Sequence, residues 1–407
     1  MKLKIKYIKF IVASQIIISL FILSCNNRSE SKEENQTIII NPKEVSKQIN
    51  ISEFADSVKY IKLQTNPNCI IGSNIAEVLI KKKYIYVCDA SQMKIFIFYK
   101  DGNFVGKLDK RGKGPEEYLH FAGMFVDEDE EYIEVFTRQG ELLKYSNITF
   151  KFIEKKTLKQ ISSNYSLKVN NIYYFSAQQN RNVINKKVTN ADIIIAKNGK
   201  IKTLFEKKIN TNNNTFVPSS NLLVLNEDNE LFTSILYSNT FYKLRGFNAF
   251  PILKLDFGGY DIKESLRIKP VQEQKDYLFK IPAGKAFMPV LTLNNSNIMA
   301  FHYAYSEQKG RISKQEYIIL KKQGKAYQTN IIKNDLTSFP TIVTFSISSS
   351  QIPHQIWYEN NLVNIIIPSK EFIYRPGESK MEVEGLGTIN PGDNPIIVLY
   401  KFKNDLL

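Results

Sequence analysis

Groups of short β-type runs recur along this chain, and the recurrence limits its possible folds more than any other feature. "YIYVCD" (Tyr84 to Asp89) is followed by "KIFIFY" (Lys94 to Tyr99), and the turn "KDGN" leads into "FVGKL" (Phe104 to Leu108). Asp-Gly between alternating runs is a strong hairpin signal. The same grammar returns in "YIEVFT", "ELLKYS" and "TFKFIEKK", then in "NNIYYFS" and "ADIIIAKNGKIKTLFEKK", where Asn198-Gly199 makes the turn. Equivalent runs contain Tyr84, Tyr132, Tyr173, Phe232 and Ile298, spaced by 41 to 66 residues. Units of roughly 40 to 50 residues, some padded by insertions, suit propeller blades. A mature chain of about 380 residues at about 60 per unit holds roughly six of them. A β-sandwich needs fewer strands, and a parallel α/β fold needs a helix after each strand. One helical candidate stands out, Ile262 to Phe279, split by Pro270 and read as decoration of an inter-blade loop. An irregular pair of β-domains is the competing architecture, but no Pro/Gly/Ser-rich linker divides the chain. The expected fold class is therefore all-β: a six-bladed β-propeller over residues 51–407, with a helical insertion near 262–280.

The first residues read as an export signal. Lys2, Lys4, Lys6 and Lys9 precede an apolar run from Phe10 to Leu23. That run is short for a membrane span, which needs about 20 apolar residues, and it matches a signal-peptide core. Ser24 directly before Cys25 resembles a bacterial lipobox. The expectation is a signal peptide over 1–24, diacylglyceryl attachment at the Cys25 thiol, and a polar tether over 25–50. The protein would then be exported and lipid-anchored to the cell envelope, at the outer membrane, facing the periplasm or the surface. The alternative is an ordinary signal peptide or uncleaved anchor with an incidental cysteine.

The formal charge is +15, and removing the four leader lysines leaves +11. The remaining lysines are scattered, and the "KKK" at Lys81 to Lys83 reads as a solvated turn. An exported protein meets little nucleic acid, so that partner is set aside. Cys69 and Cys88 are too few for a structural zinc site. In an oxidising compartment they can form a disulfide; the other reading is two small buried hydrophobes.

Several stretches resemble a known family. The run from Tyr84 to Tyr145 has the layout of NHL-type propeller repeats: a strand, Asp, a second strand ending in a DG turn, then a corner. More closely, the chain resembles the six-bladed β-propeller lipoproteins of Bacteroidetes. "ISEFADSVKYIKLQT" is similar to their opening strand, "GKGPEEY" (Gly112 to Tyr118) to their hallmark loop, and "GDNPIIVLYKFK" to their closing strand. Glu116 stands where glycine is usual and Cys88 where a larger aliphatic is common; residues 159–219 match only loosely. The resemblance implies a propeller, a lipid anchor and an envelope location, and no reaction. It also implies that Val58 to Leu63 joins the sheet containing Ile396 to Phe402, closing the ring and removing its edges. In "RGKGPEEYLHF", Gly112 and Gly114 are expected to supply unusual backbone angles, with Tyr118 packed on a neighbouring blade.

Chemistry is harder to find. No pair among His120, His302 and His354 has the i, i+4 spacing of a helical metal site, and His302, amid aromatics, reads as packed or channel-facing. Asp89 and Asp127 end their strands, where such acids bond turn backbone. No G-x-S-x-G elbow or Walker loop occurs. No residue qualifies as catalytic or as a metal ligand, and no cofactor is required. Arg111, Lys113, His120, Trp357 and Tyr358 are the candidate ligand-facing residues, the Trp-Tyr pair because it could stack on a sugar. The reading is a non-catalytic binding or scaffold module for a glycan, peptide or protein partner. The alternative is a metal-dependent enzyme of lactonase or lyase type with its site in the central channel. Three or more Asp, Glu, Asn or His side chains converging at the channel mouth would favour the enzyme; an apolar or Lys/Tyr-lined funnel would favour binding.

Overall fold

A strand buried on both faces sends alternate side chains to two different cores, and the middle strands here do so. In the strand Tyr84–Asp89, Ile85 and Val87 enter one core while Tyr86 and Cys88 enter another. Its partner Lys94–Tyr99 divides in the same way, Phe96 and Phe98 against Ile95 and Ile97. This explains the near-continuous apolar runs of the sequence: each sheet is sandwiched between two others. The computed structural model describes residues 36–407 except 73, 138, 159–160, 164, 179, 207–221, 346–354 and 375–376. The leader, Cys25 and His354 lie outside the described residues.

The result is an all-β propeller. Five four-stranded meanders follow one another, starting with the strands Ile75–Ile80, Phe121–Val126, Tyr165–Val169, Leu223–Leu225 and Lys285–Asn294. The final large sheet pairs Trp357–Tyr358, Asn361–Ile366, Ile396–Phe402 and Ala55–Lys62 in that order. The expected terminal pairing is present, with Val58 opposite Tyr400 and Lys62 opposite Ile396. Apolar clusters bridge successive sheets, and one of them joins Ile61, Val363 and Leu399 of the final sheet to Val78, Val87 and Phe98 of the first.

Two expectations need correction. Among the described residues there are seven sheets of three or more strands, not six blades. The additional one joins Ile49–Asn50, Ile332–Lys333 and Ile342–Val343 and packs with the sheets flanking it in one core. Two-residue strands show no alternation, so the recurrence could not register them. Next, part of the supposed tether is structured: Gln36–Ile39 adds a parallel fifth strand beside Asn248–Asp256, and Ile40 enters the core. Its apolar "TIII" supplies the reason. Of the two readings open for Cys69 and Cys88, the structure has the buried one: free thiols in separate clusters.

The helical candidate divides at Pro270 into a 3-10 segment, Glu264–Ile268, and a helix, Val271–Phe279. Arg267 fastens this insertion to the third sheet through the buried Asp192 carboxylate and the Phe205 carbonyl. Among the described residues no helix is long and apolar enough to cross a membrane.

Candidate functional site

The first strands of five sheets converge on one cavity of about 200 Å³. Leu79, Leu167, Leu223, Leu225, Val290 and Leu291 give it an apolar wall. Into that wall the strand "IAEVLI" inserts a single acid, Glu77, which is 7% exposed. Its carboxylate accepts a hydrogen bond from the Tyr165 hydroxyl at 3.0 Å. Burial pushes its pKa up to about 7, against the opposing effects of the Tyr165 bond and the Lys81 charge. A carboxyl whose pKa lies near neutrality can either donate or accept a proton there.

A second carboxylate, Glu227, stands at the mouth on the turn after Leu223–Leu225. It accepts the indole N–H of Trp357 at 3.1 Å, and burial raises its pKa too. Asn226 and Asn229 also line the cavity, so four Asp, Glu, Asn or His side chains gather there. The asparagines are turn residues, however. The Asn226 Oδ1 accepts the backbone N–H of Asp228 and Glu230 at 3.0 and 2.8 Å, and Asn229 adopts φ 58°. That leaves two carboxylates, Lys81 and Tyr165 on an apolar floor. Among the described residues no cluster of three or more His, Cys, Asp or Glu is placed to hold a metal ion.

The structure separates the candidate residues. Trp357 lines the cavity, but its ring is 5% exposed and lies edge-on to Phe402 at 4.7 Å. Tyr358 is covered by the Lys100 ammonium, 3.8 Å from its ring centre, and binds Glu359. The pair is therefore no open platform for a sugar. Arg111, Lys113 and His120 are exposed on the corner between the first two sheets, away from the cavity lining. Lys81, expected to be merely solvated, opens a turn and also faces the cavity. Glu77, Tyr165 and Glu227 were missed. A lone acid inside an apolar strand was the available signal for Glu77.

The remaining polar features are architectural. Asp89 accepts five hydrogen bonds, from Gly72 N, Ser91 N and Oγ, and Gln92 N and Nε2. Asp127 accepts Tyr132 N. The Tyr118 ring is buried between Phe121 and Tyr145, and its hydroxyl donates to the Met93 carbonyl of the first sheet. Gly112 and Gly114 are not at positive φ. A Cβ at Gly112 would meet the Glu117 carboxylate at 1.8 Å, so the glycine makes room for that side chain and serves no unusual backbone angle. His302 sits mid-strand opposite Glu316, its pKa lowered to about 3 by burial and by Lys314.

The model of the DUF4934 family, described as a domain of unknown function, matches residues 35–401. No curated protein matches the chain. Among solved structures, a proposed exported protein from Bacteroides fragilis superposes with a TM-score of 0.64 at 15% identity, covering 91% of this chain and 100% of its own. A duf4221 family member from Bacteroides vulgatus gives 0.42 at 10% identity, covering 67% and 84%. Virginiamycin B lyase from Staphylococcus aureus gives 0.34 at 13% identity, covering 68% and 74%. Only the first likeness is close enough to speak for the fold, and at that identity it speaks for nothing more.

Proposed function

Because the chain belongs to the DUF4934 family, whose domain has no assigned function, its role must come from its own cavity, and we propose that it is an exported binding protein, lipid-anchored at Cys25. Its propeller ring is closed by the pairing of Ala55–Lys62 with Ile396–Phe402. The observation that carries the binding role is the cavity where five sheets meet, with an apolar wall, Glu77 held by Tyr165 and Glu227 held by Trp357. Ligand pockets usually measure roughly 300–1,000 Å³. A space of about 200 Å³ takes a compact molecule, or one protruding group of a larger glycan, peptide or protein. Two carboxylates against one lysine favour a group that donates hydrogen bonds, an amine or a hydroxyl, carried on an apolar body.

Trp357 is the only tryptophan in the chain, so its fluorescence reports on the cavity. A screen of peptides and glycans on the purified protein should yield a ligand that shifts this emission and binds at least tenfold more weakly to Glu77→Gln and Glu227→Gln. Ligands that leave the emission and both variants' affinities unchanged would sink the cavity as the site. Cys25→Ala should move the protein from the membrane fraction to the soluble one; continued membrane retention would remove the anchor.

A second reading draws on the same paired carboxylates: an enzyme of lactonase or lyase type with Glu77 as general acid or base. Turnover of a screened ligand, abolished in Glu77→Gln, would select it over simple binding.

A further inference from the structure

A second concavity, of about 920 Å³, lies between the second and third sheets, and it has the opposite chemistry. Lys144 and Lys156 enter it from one wall, Lys168 and Lys197 from the other. Its two carboxylates are already paired with lysines. Glu134 is 4% exposed; it binds the Lys168 ammonium at 2.5 Å and accepts the Tyr173 hydroxyl at 3.2 Å. Glu154 binds Lys156 at 2.9 Å, with Lys144 at 3.9 Å. Four ammonium groups against two carboxylates leave a net positive cleft. Two tyrosines hold the lysines in place: Lys144 is 3.5 Å from the Tyr132 ring centre, and Lys168 lies 5.3 Å from that of Tyr173. Cations fixed on facing walls, with low-dielectric protein between them, concentrate their field on whatever enters.

We propose that this cleft binds a small polyanion, a molecule carrying two or more carboxylate or phosphate groups. A single small anion would leave most of the volume empty and most of the ammonium groups unmatched. A ligand with separated anionic groups spans both. This site is independent of the Glu77 cavity, since the two share no lining residue.

The test is calorimetric titration of the full domain with citrate, tripolyphosphate and acetate. At least one of the two polyanions should bind at least tenfold more tightly than acetate, with affinity falling as salt rises. Whichever binds identifies the anionic group as carboxylate or phosphate. Lys156→Ala/Lys197→Ala removes one cation from each wall without touching the Lys168–Glu134 pair. It should weaken binding at least tenfold while the melting temperature stays within a degree or two, and Glu77→Gln should bind the polyanion normally. Equal affinities for acetate and both polyanions, or unchanged binding by the double variant, would overturn the proposal.

Discussion

The Glu77 cavity and the inter-sheet cleft each bury a glutamate contributed by one acid in an apolar strand, "IAEVLI" in one case and "YIEVFT" in the other. They differ in the partner that meets it. Glu77 meets a neutral tyrosine hydroxyl, and its pKa climbs to about 7. Glu134 meets a lysine ammonium. A neutral donor compensates desolvation only in part, whereas an opposite charge compensates most of it. One scaffold therefore holds one buried carboxylate against a neutral hydroxyl and another against an ammonium group.

Breaking that contrast should have its largest effect in the cleft. Lys168→Met strands the Glu134 charge in a buried setting, and loss of one partner of such a pair costs about 3–5 kcal/mol. Denaturant unfolding at pH 7 measures it, and a loss under about 1 kcal/mol would show that Glu134 does not depend on this lysine. In the Glu77 cavity the sign reverses. The folded pKa of Glu77, about 7, exceeds its ordinary 4.5. Between those values the folded protein holds more protons than the unfolded chain, so this group's contribution to stability falls as pH rises from 4.5 to 7. Glu77→Gln should therefore stabilise the fold at pH 8 by on the order of 1–3 kcal/mol. It should leave little difference near pH 4, and melting curves at the two pH values check both. Trp357→Phe removes the indole donor from Glu227 while keeping an aromatic ring against Phe402, and should cost about 1 kcal/mol. The smallest effect belongs to Lys156→Ala. Its ion pair with Glu154 is solvent-exposed, and its removal should change stability by under about 0.5 kcal/mol.

Much of the frame was legible because it rests on local rules. Tyr84–Asp89, Lys94–Tyr99 and Phe104–Leu108 have the bounds their apolar runs imply. Gly102 and the Asn198-Gly199 pair adopt the positive φ that hairpin turns require. The corner at Arg111 to Phe121 joins sheets as its turn residues indicated, although its glycines serve close packing against Glu117. The site was not legible. Glu77, Tyr165, Glu227 and Trp357 come from four different sheets, and only the packing of those sheets brings them together. Trp357 was singled out for stacking, yet its contribution is an N–H bond made from within the core. The lone acids at Glu77 and Glu134 were visible in the strand pattern, where a charge at a buried position marks either a partner or a site.

The seam between Ala55–Lys62 and Ile396–Phe402 also sets an order of events in time. Val58 and Tyr400 are partners separated by 342 residues. The opening strand, whose strand partner is Ile396–Phe402, therefore waits unpaired until almost the whole propeller has emerged and been threaded into place. Contacts so distant in sequence form late and slow the search for the native state. Throughout that interval the unpaired strand is a place where another unfinished chain can pair.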